Sequence, residues 1–370
     1  MRRLVALDLP GGPDFVTALR HVWDDGDAAL PVDQRFPAAA RAALIAAMGA
    51  SRVVEASGSA DLAEGIPVDD GDALVVATSG STGTPKGVVL THDAVAASAD
   101  ATSARLEVDP DRDRWLACLP LAHVGGLSVV TRALHTGTPL TVRPAFDADE
   151  VDASDATLVS LVATAMRRID TSRWRVIVLG GAHAPADRPP NSVTTYGMTE
   201  TGSGVVYDGV PLDGVEVRIV DGEIHLRAPM LLRCYRDGTD PFLPGGWFPT
   251  GDLGELADDG RLTVHGRRGD LIISGGENVW PDPIERLLGT LPSIADVGIA
   301  GVPDPEWGHA VTAFVVPTDP ARPPTLGELR DAVRAALPAY CAPRNVVIVP
   351  QLPRTTLGKL KRAELTAHGR

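Results

Sequence analysis

Short apolar runs alternate with longer, polar-faced segments through the first half of the chain, and most of these runs end in turn residues. The apolar or β-branched runs predict strands at 73–78, 115–120, 175–181 and 192–197. Helical spacing of the apolar residues predicts helices at 93–105 and 126–134. This alternation is typical of an α/β fold with mainly parallel sheets.

Two Asp-Gly pairs mark a change of pattern further along the chain. Asp221-Gly222 and Asp259-Gly260 each stand between two alternating runs, which predicts a hairpin with a two-residue turn at each pair. We therefore expect a small antiparallel β subdomain over about 205–265.

The last hundred residues predict an α+β arrangement. Helices are expected near 283–289 and 326–337, and strands at 297–300, 312–316 and 346–349. This segment has the size of a separate domain. We expect a large N-terminal domain over 1–266 and a C-terminal domain over 270–370, with the boundary near 266–270.

Composition narrows the classes of function. The 370 residues carry a net charge of −14, which argues against a general nucleic-acid or anionic-membrane surface. Cys118, Cys234 and Cys341 show no metal-binding or disulfide spacing, so we expect reduced, buried thiols. The apolar run at the start is too short for a signal peptide, and no 18-residue apolar segment follows. We expect a cytoplasmic protein, with a homo-oligomer left open.

Lysine is rare in this chain, which makes its positions informative. Of 34 Lys and Arg residues, the lysines are Lys86, Lys359 and Lys361, and we interpret Lys361 as a surface residue. The first lies in "ATSGSTGTPKGVVLTH", a polar loop that directly follows a predicted strand. Pro85 before this lysine excludes the Walker A spacing.

Converging backbone N–H groups and hydroxyls would still suit a polyphosphate, the alternative being a mobile surface loop. We predict a phosphate loop over 78–88. Its candidate residues are Thr78, Ser79, Gly80, Ser81, Thr82, Gly83, Thr84 and Lys86.

Five segments in order carry a resemblance to a known family. They are "STGTPKG", "YGMTETGSG", "GWFPTGDLGEL", "GRRGDLIISGGENVWPDPIE" and "PRTTLGKLKR". Together they resemble the signature motifs of the adenylate-forming superfamily, which includes acyl-CoA synthetases, non-ribosomal adenylation domains and luciferases. The resemblance implies ATP, Mg²⁺ and coenzyme A as ligands, and a small C-terminal domain that rotates between two half-reactions. Activation of a carboxylate by ATP joins two anions, so the site must supply positive charge and alignment.

The resemblance places most of the nucleotide on the large domain. Tyr196 offers a flat face to adenine, and Gly181 and Ala182 leave room for the edge of the base. Thr199 offers a hydroxyl to the α-phosphate, and Glu200 offers a carboxylate to Mg²⁺. Without the neighbouring motifs, Tyr196 would be better interpreted as an ordinary half-buried aromatic residue, and Thr199 with Glu200 as a solvated polar pair.

Three further residues are assigned to ATP by the same resemblance. Asp252 would accept hydrogen bonds from the ribose hydroxyls, with Arg267 beside it. Lys359, in the last motif, matches the family's catalytic lysine, whose charge can bridge a carboxylate and a phosphate oxygen. A turn-capping aspartate, a surface arginine and a solvated lysine are the alternative interpretations.

The resemblance also concerns the acid and the thiol. His123, in "LPLAHVGGL", matches a histidine that lines the carboxylate pocket, although a structural histidine is an alternative. Gly275 and Gly276 would line the pantetheine channel after rotation of the small domain. Gly269 stands where the family usually has an aspartate or lysine hinge.

Within the superfamily, the chain most resembles compact o-succinylbenzoate-CoA ligases of menaquinone synthesis. Such an enzyme must recognise a second carboxylate, for which His123, Arg132, Thr201 and Ser203 are unranked candidates. The alternatives are a benzoate-type or other acyl-CoA ligase, a stand-alone enzyme that loads a carrier protein, and a non-catalytic nucleotide-binding descendant.

Overall fold

The structure is a computed structural model that describes residues 2–78, 86–181, 187–354 and 360–365. The first part of the described chain alternates strands with helices. In order they are β1 (Leu4–Asp8), α1 (Pro13–Asp24), β2 (Ala28–Pro31), α2 (Ala38–Ala47), β3 (Arg52–Glu55), β4 (Gly58–Asp61), β5 (Asp72–Thr78), β6 (Lys86–Thr91) and α3 (His92–Arg105).

A second alternating part follows. Its elements are β7 (Trp115–Ala117), α4 (Val124–Thr136), β8 (Leu140–Val142), α5 (Ala148–Asp152), β9 (Leu158–Leu161), α6 (Ala163–Met166), β10 (Val176–Leu179), β11 (Ser192–Gly197) and β12 (Gly204–Tyr207). Short 3₁₀ turns lie at Thr171–Arg173 and Thr199–Thr201. The four elements predicted in this part are present as β7, α4, β10 and β11, but β7 ends three residues before the predicted strand does.

The remaining elements are mostly strands. They are β13 (Val210–Pro211), β14 (Glu216–Val220), β15 (Glu223–Arg227), β16 (Cys234–Tyr235), β17 (Phe248–Leu256), β18 (Leu262–Arg267), β19 (Ile272–Ser274), β20 (Glu277–Val279), α7 (Pro281–Leu288), β21 (Ile294–Asp304), β22 (Gly308–Pro317), α8 (Leu326–Ala336), β23 (Asn345–Ile348) and α9 (Arg362–Leu365). 3₁₀ turns lie at Arg268–Asp270 and Ala339–Cys341.

Two seven-stranded sheets have parallel centres; the first has antiparallel pairs at both edges, whereas the second has them at the β13 edge and ends in a parallel β7–β8 pair at the other. The first has the order β16-β6-β5-β2-β1-β3-β4, and the second has the order β13-β12-β11-β10-β9-β7-β8. Strand β1 pairs in parallel with β2 and β3, and β10 pairs in parallel with β9 and β11. Parallel strands covered by helices are buried on both faces, which explains why β1 and β5 read as nearly continuous apolar runs.

The short strand β16 is fixed at the edge of the first sheet by a charged pair. Arg233, just before it, donates from Nε and Nη2 to the two carboxylate oxygens of Asp72, at 2.9 and 2.8 Å. Asp72 opens β5 and is only 1% exposed. The two-pronged geometry of this pair holds β16 in register against β6.

The two Asp-Gly hairpins differ from each other. Asp221 and Gly222 both take positive φ, 50° and 77°, as a two-residue hairpin turn requires. At the second pair only Gly260 does so, and Ala257 N–H donates to the Arg261 carbonyl across a longer connection. The prediction of a two-residue turn is wrong there, because Asp259 instead accepts the Arg261 N–H with its side chain.

The contacts divide the chain into two compact units. The large unit comprises Met1–Arg218, His225–Pro249 and Leu256–Leu262; the small unit comprises Ile219–Ile224, Thr250–Glu255 and Thr263–Arg370. In the small unit a five-stranded sheet, with β23 beside β22, packs against an apolar cluster that includes Ile284, Val315 and Leu329 in its buried core. The predicted domain limits at 266 and 270 stay predictions.

Two general expectations can be compared with the described residues. Cys118 is buried, whereas Cys234 and Cys341 are only partly buried, so the prediction of three buried thiols is wrong for two of them; all three are free. Among the described helices none is long and apolar enough to cross a bilayer.

The charged pair at β16 makes a stability prediction. Arg233→Met leaves the buried Asp72 carboxylate without its two-pronged partner, so we expect the free energy of unfolding to fall by about 2–3 kcal/mol. Arg112→Met, which removes an exposed pair with Asp109, should change it by less than about 1 kcal/mol. Urea denaturation measures both values, and equal effects would contradict the importance of the buried pair.

Candidate active site

The two described ends of the predicted phosphate loop lie side by side. Thr78 ends β5 and pairs with Lys86, which begins β6. The Thr78 hydroxyl is 3.4 Å from the Lys86 carbonyl. The remaining candidates of this loop lie outside the described residues; they are Ser79, Gly80, Ser81, Thr82, Gly83 and Thr84.

Lys86 and Glu200 are connected through a tyrosine that the motifs did not indicate. The Nζ atom of Lys86 lies 5.0 Å from the centroid of the Tyr235 ring. The Tyr235 hydroxyl donates to Oε1 of Glu200 at 2.9 Å. Tyr235 pairs with Val88 on the edge of the sheet, two residues from Lys86, so both side chains are diagonal neighbours on one face.

The turn that carries Thr199 and Glu200 is rigidly held. Thr201 is fully buried, and its hydroxyl accepts the Met198 N–H at 2.9 Å. The same hydroxyl is 2.6 Å from the Ser203 carbonyl. The Glu200 carbonyl accepts the Leu232 N–H at 2.8 Å, so Glu200 is bound to the β16 segment by its backbone as well as by its side chain.

The residues assigned to adenine lie at the ends of the central strands of the second sheet. Tyr196 is on β11 and half-buried. Gly181 follows β10 with φ of 83°, a conformation that favours glycine. Ala182 lies outside the described residues.

Asp252 and Arg267 contact each other within the small unit. Arg267 Nε lies 2.8 Å from Asp252 Oδ1, and Arg267 Nη1 donates to the Thr250 carbonyl at 3.0 Å. The Asp252 side chain is 8% exposed, whereas that of Arg267 is 43% exposed. A buried carboxylate thus lies next to a half-exposed guanidinium, and Asp252 is inside strand β17 rather than in a turn.

Local backbone geometry explains why two of the candidate residues in the small unit are glycines. Gly275 and Gly276 take φ of 60° and 86° in the turn between β19 and β20. A Cβ on Gly275 would lie 2.6 Å from the Trp307 ring. Gly269 has no such restriction, since open space surrounds its Cβ position. Lys359 lies outside the described residues.

His123 belongs to a charged cluster with two residues near the N-terminus. Its Nε2 is 2.9 Å from the Arg35 guanidinium and 3.2 Å from Oδ2 of Asp33. Arginine only donates and carboxylate only accepts, so the protonation of this one nitrogen decides which neighbour it bonds. Burial lowers the pKa of His123; Asp33 opposes that shift and Arg35 adds to it. Although burial raises the pKa of Asp33, hydrogen bonds and charge from Arg35 lower it to about 2.

Arg132, on α4, is a buried cation without a carboxylate partner among the described residues. It is 2% exposed, and its Nη2 donates to the Ser203 hydroxyl at 3.2 Å. Its Nε and Nη1 are buried with no hydrogen-bond partner in the described ranges. The guanidinium carbon lies 4.9 Å from the Trp115 ring. Burial lowers the pKa of Arg132, the direction expected for an uncompensated charge.

Comparison with known proteins decides the family. A model of AMP-binding enzymes matches residues 55–236, and a model of the AMP-binding enzyme C-terminal domain matches 283–359. A probable 2-succinylbenzoate–CoA ligase of Mycobacterium tuberculosis is 39% identical over 330 residues, which cover 81% of this chain and 85% of that protein. This chain belongs to the AMP-binding enzymes.

Solved structures of other AMP-binding enzymes agree with this. The o-succinylbenzoate CoA synthetase of Bacillus subtilis in complex with the acyl-adenylate intermediate OSB-AMP aligns with a TM-score of 0.87 at 28% identity, over 99% of this chain and 88% of that one. The same protein in complex with ATP and magnesium ion aligns with a TM-score of 0.86 at 28% identity, over 99% and 90%. The predicted α/β fold and family resemblance are confirmed.

The residues present in this AMP-binding enzyme fit a magnesium ion that arrives with ATP. Magnesium commonly takes one or two carboxylates together with substrate phosphates and water. Glu200 supplies a carboxylate whose orientation is set by Tyr235. The described part of the chain holds no group of three or more His, Cys, Asp or Glu side chains able to form an all-protein metal site.

Sequence reasoning missed Tyr235, Asp33 and Arg35. Tyr235 stands in "LLRCYRDG", outside every recognised motif, and its contact with Glu200 depends on strand pairing between distant segments. Asp33 and Arg35 come from the N-terminal region, 88 or more positions from His123. One local signal could have suggested Asp33 and Arg35: an aspartate and an arginine two residues apart directly follow an apolar run.

The His123 cluster predicts a specific titration. Neutral His123 is favoured by burial, so NMR should show a midpoint below the ordinary histidine value, and the stability that it contributes should decline as pH falls through that midpoint. Arg35→Met should raise the midpoint, because a neighbouring positive charge is removed. An unchanged His123 midpoint in Arg35→Met would contradict the cluster.

Proposed function

We propose that this AMP-binding enzyme is an ATP-dependent 2-succinylbenzoate–CoA ligase, the enzyme type also written o-succinylbenzoate–CoA ligase. It joins the aliphatic carboxylate of the acid to AMP and releases pyrophosphate. It then transfers the acyl group to the thiol of coenzyme A and releases AMP. The names of its relatives support this activity. A relative that binds ATP and magnesium ion supports the same nucleotide and metal here.

The observation that carries the choice of substrate is the buried Arg132 guanidinium. An unpaired charge inside a protein is costly, so its retention calls for an anion that arrives with a ligand. 2-Succinylbenzoate carries a second carboxylate that stays unreacted, and a guanidinium with two nitrogens that lack a hydrogen-bond partner in the described ranges matches it. Arg132 contacts Ser203, three residues after Glu200, so the guanidinium lies next to the segment proposed to hold the metal.

The adenylation step requires positive charge around the triphosphate. A carboxylate oxygen attacks the α-phosphorus while the bond to pyrophosphate breaks. Bound Mg²⁺ would neutralise phosphate charge, with Glu200 as its protein ligand. Lys86 supplies an exposed cation at the foot of the phosphate loop, Thr199 a hydroxyl, and Lys359 the bridging charge between acid and phosphate.

Other proposed contacts complete the nucleotide and the thiol sites. Tyr196 stacks on adenine beside Gly181 and Ala182, and Asp252 with Arg267 binds the ribose. Gly275 and Gly276 line the path of the thiol, and Gly269 acts as hinge. The thiolate attacks the acyl carbonyl, and the bond to AMP breaks. ATP and coenzyme A are intracellular, which supports a cytoplasmic enzyme of menaquinone biosynthesis.

The substrate is tested by pyrophosphate release with and without CoA, over 2-succinylbenzoate, benzoate, 4-phenylbutyrate and medium-chain fatty acids. We expect kcat/KM for 2-succinylbenzoate to exceed the others by at least about 100-fold, because monocarboxylic acids leave Arg132 unpaired. Preference for benzoate would contradict the substrate but not the family. Pyrophosphate release that leads to no CoA thioester would favour the carrier-loading alternative.

Arg132→Met separates a ligand-binding role from a structural one. The preference for 2-succinylbenzoate should disappear, whereas the ligand-free protein should become more stable by about 1 kcal/mol or more, because an uncompensated charge is removed. Thermal unfolding without ligand and kcat/KM for the acids measure the two effects. Lower stability with an unchanged preference would assign Arg132 to the fold.

Lys359→Ala should divide the two half-reactions. The lysine charge is needed while phosphorus is attacked, so adenylation should fall by about 100-fold or more, and thioester formation from supplied acyl-adenylate should persist. Lys361→Ala is the matched control, because the Lys361 ammonium forms an exposed pair with Glu364 and its loss should leave both rates unchanged. Equal loss of both half-reactions would contradict a role limited to adenylation.

A further inference from the structure

We propose that Tyr235 is a positioning residue that prepares Glu200 and Lys86 for Mg·ATP. Its hydroxyl orients the carboxylate toward the metal, and its ring face holds the lysine ammonium beside the triphosphate. This inference rests on the proposed function, since it concerns the same ATP site. Tyr235 would not touch the reacting atoms.

The tyrosine is itself well anchored. Its N–H donates to the Thr239 carbonyl, and its own carbonyl accepts the Gly238 N–H, both at 2.9 Å. The neighbouring Arg236 donates to the Met48 carbonyl at 3.0 Å. On the other side, Arg233 is fixed to Asp72. A side chain on so constrained a backbone can hold its partners within the narrow geometry that a metal site needs.

The two contacts of Tyr235 keep the charges of Lys86 and Glu200 from pairing with each other. A lysine and a glutamate that face one site can pair with each other and neutralise the charges that the ligand needs. In the described ranges no ion pair joins Lys86 to Glu200; both instead contact Tyr235. A phenol hydroxyl donates to a carboxylate without removing its charge, and an aromatic face attracts an ammonium without neutralising it. Both charges stay available to Mg·ATP.

The hydroxyl contact also has the geometry of an outer-shell metal partner. It occupies one oxygen of Glu200 at 2.9 Å and so fixes the direction of the other. Loss of such outer-shell hydrogen bonds typically weakens metal affinity by about 10–100-fold. The ring contact is the weaker of the two and concerns ATP itself rather than the metal.

The decisive variant is Tyr235→Phe, which removes the hydroxyl and keeps the ring. ATP binding is measured by calorimetry as a function of Mg²⁺ concentration, without the acid, so that no turnover occurs. We expect the half-saturating Mg²⁺ concentration to rise by about 10-fold. Metal-free ATP affinity and the unfolding temperature should match the wild type. In a Glu200→Gln background the same change should have no further effect on Mg²⁺.

A second variant isolates the ring. Tyr235→Leu should weaken metal-free ATP binding by about 3-fold as well, because the surface under Lys86 is lost. Tyr340→Phe, which removes the hydroxyl of an exposed tyrosine in the small unit, is the control and should behave as the wild type.

The outcomes separate this inference from the proposed function. If the wild type binds Mg·ATP and Tyr235→Phe shows the same Mg²⁺ dependence, the inference is wrong and the proposed function stands. A Tyr235→Phe protein that loses stability and metal-free ATP affinity together would also overturn it, by assigning Tyr235 to the fold. If the wild type itself binds no Mg·ATP, the proposed function fails first.

Discussion

The two-pronged bond between Arg233 and Asp72 determines where the candidate site can form. It fixes a two-residue strand, β16, at the edge of the first sheet, beside the strand that follows the phosphate loop. Lys86 lies on that strand, Tyr235 on β16, and Glu200 is bound to the segment before it through the Leu232 N–H. Segments more than one hundred positions apart thus meet because one buried carboxylate holds one arginine.

Much of the secondary structure could be predicted from local pattern. Strand β11 has the predicted limits, and α3 begins one residue before its predicted start, because their apolar spacing and end signals lie within a few residues. The Asp259-Gly260 turn could not be predicted in detail, because an aspartate side chain competed with the two-residue turn. Strand β16 is too short to show any period and exists only through pairing with β6.

The residues of the candidate site also differ in how far local sequence could predict them. Motif spacing proposed Lys86, Glu200 and Thr199 as site candidates, because each motif keeps its residues within one loop or turn. It did not indicate Tyr235 or the Asp33–Arg35 pair. Their contacts with candidate residues depend on strand register and on packing between segments that are far apart in the sequence. Arg132 was one of four unranked candidates for a second carboxylate. Thr201 and Ser203 are also buried but carry no charge, and the His123 side chain is 25% exposed. Arg132 is therefore the costliest of the four to leave without an anion.

If Arg132 binds the second carboxylate as proposed, its enclosed charge would link the abundance of the protein to the supply of its substrate. A ligand that binds only the folded state adds stability in proportion to the logarithm of its free concentration above the dissociation constant. Where the substrate is scarce, the folded population opens more often and is more exposed to proteolysis; where it accumulates, turnover of the protein slows. A cell would then retain this enzyme longest when there is substrate to consume, without any dedicated regulator.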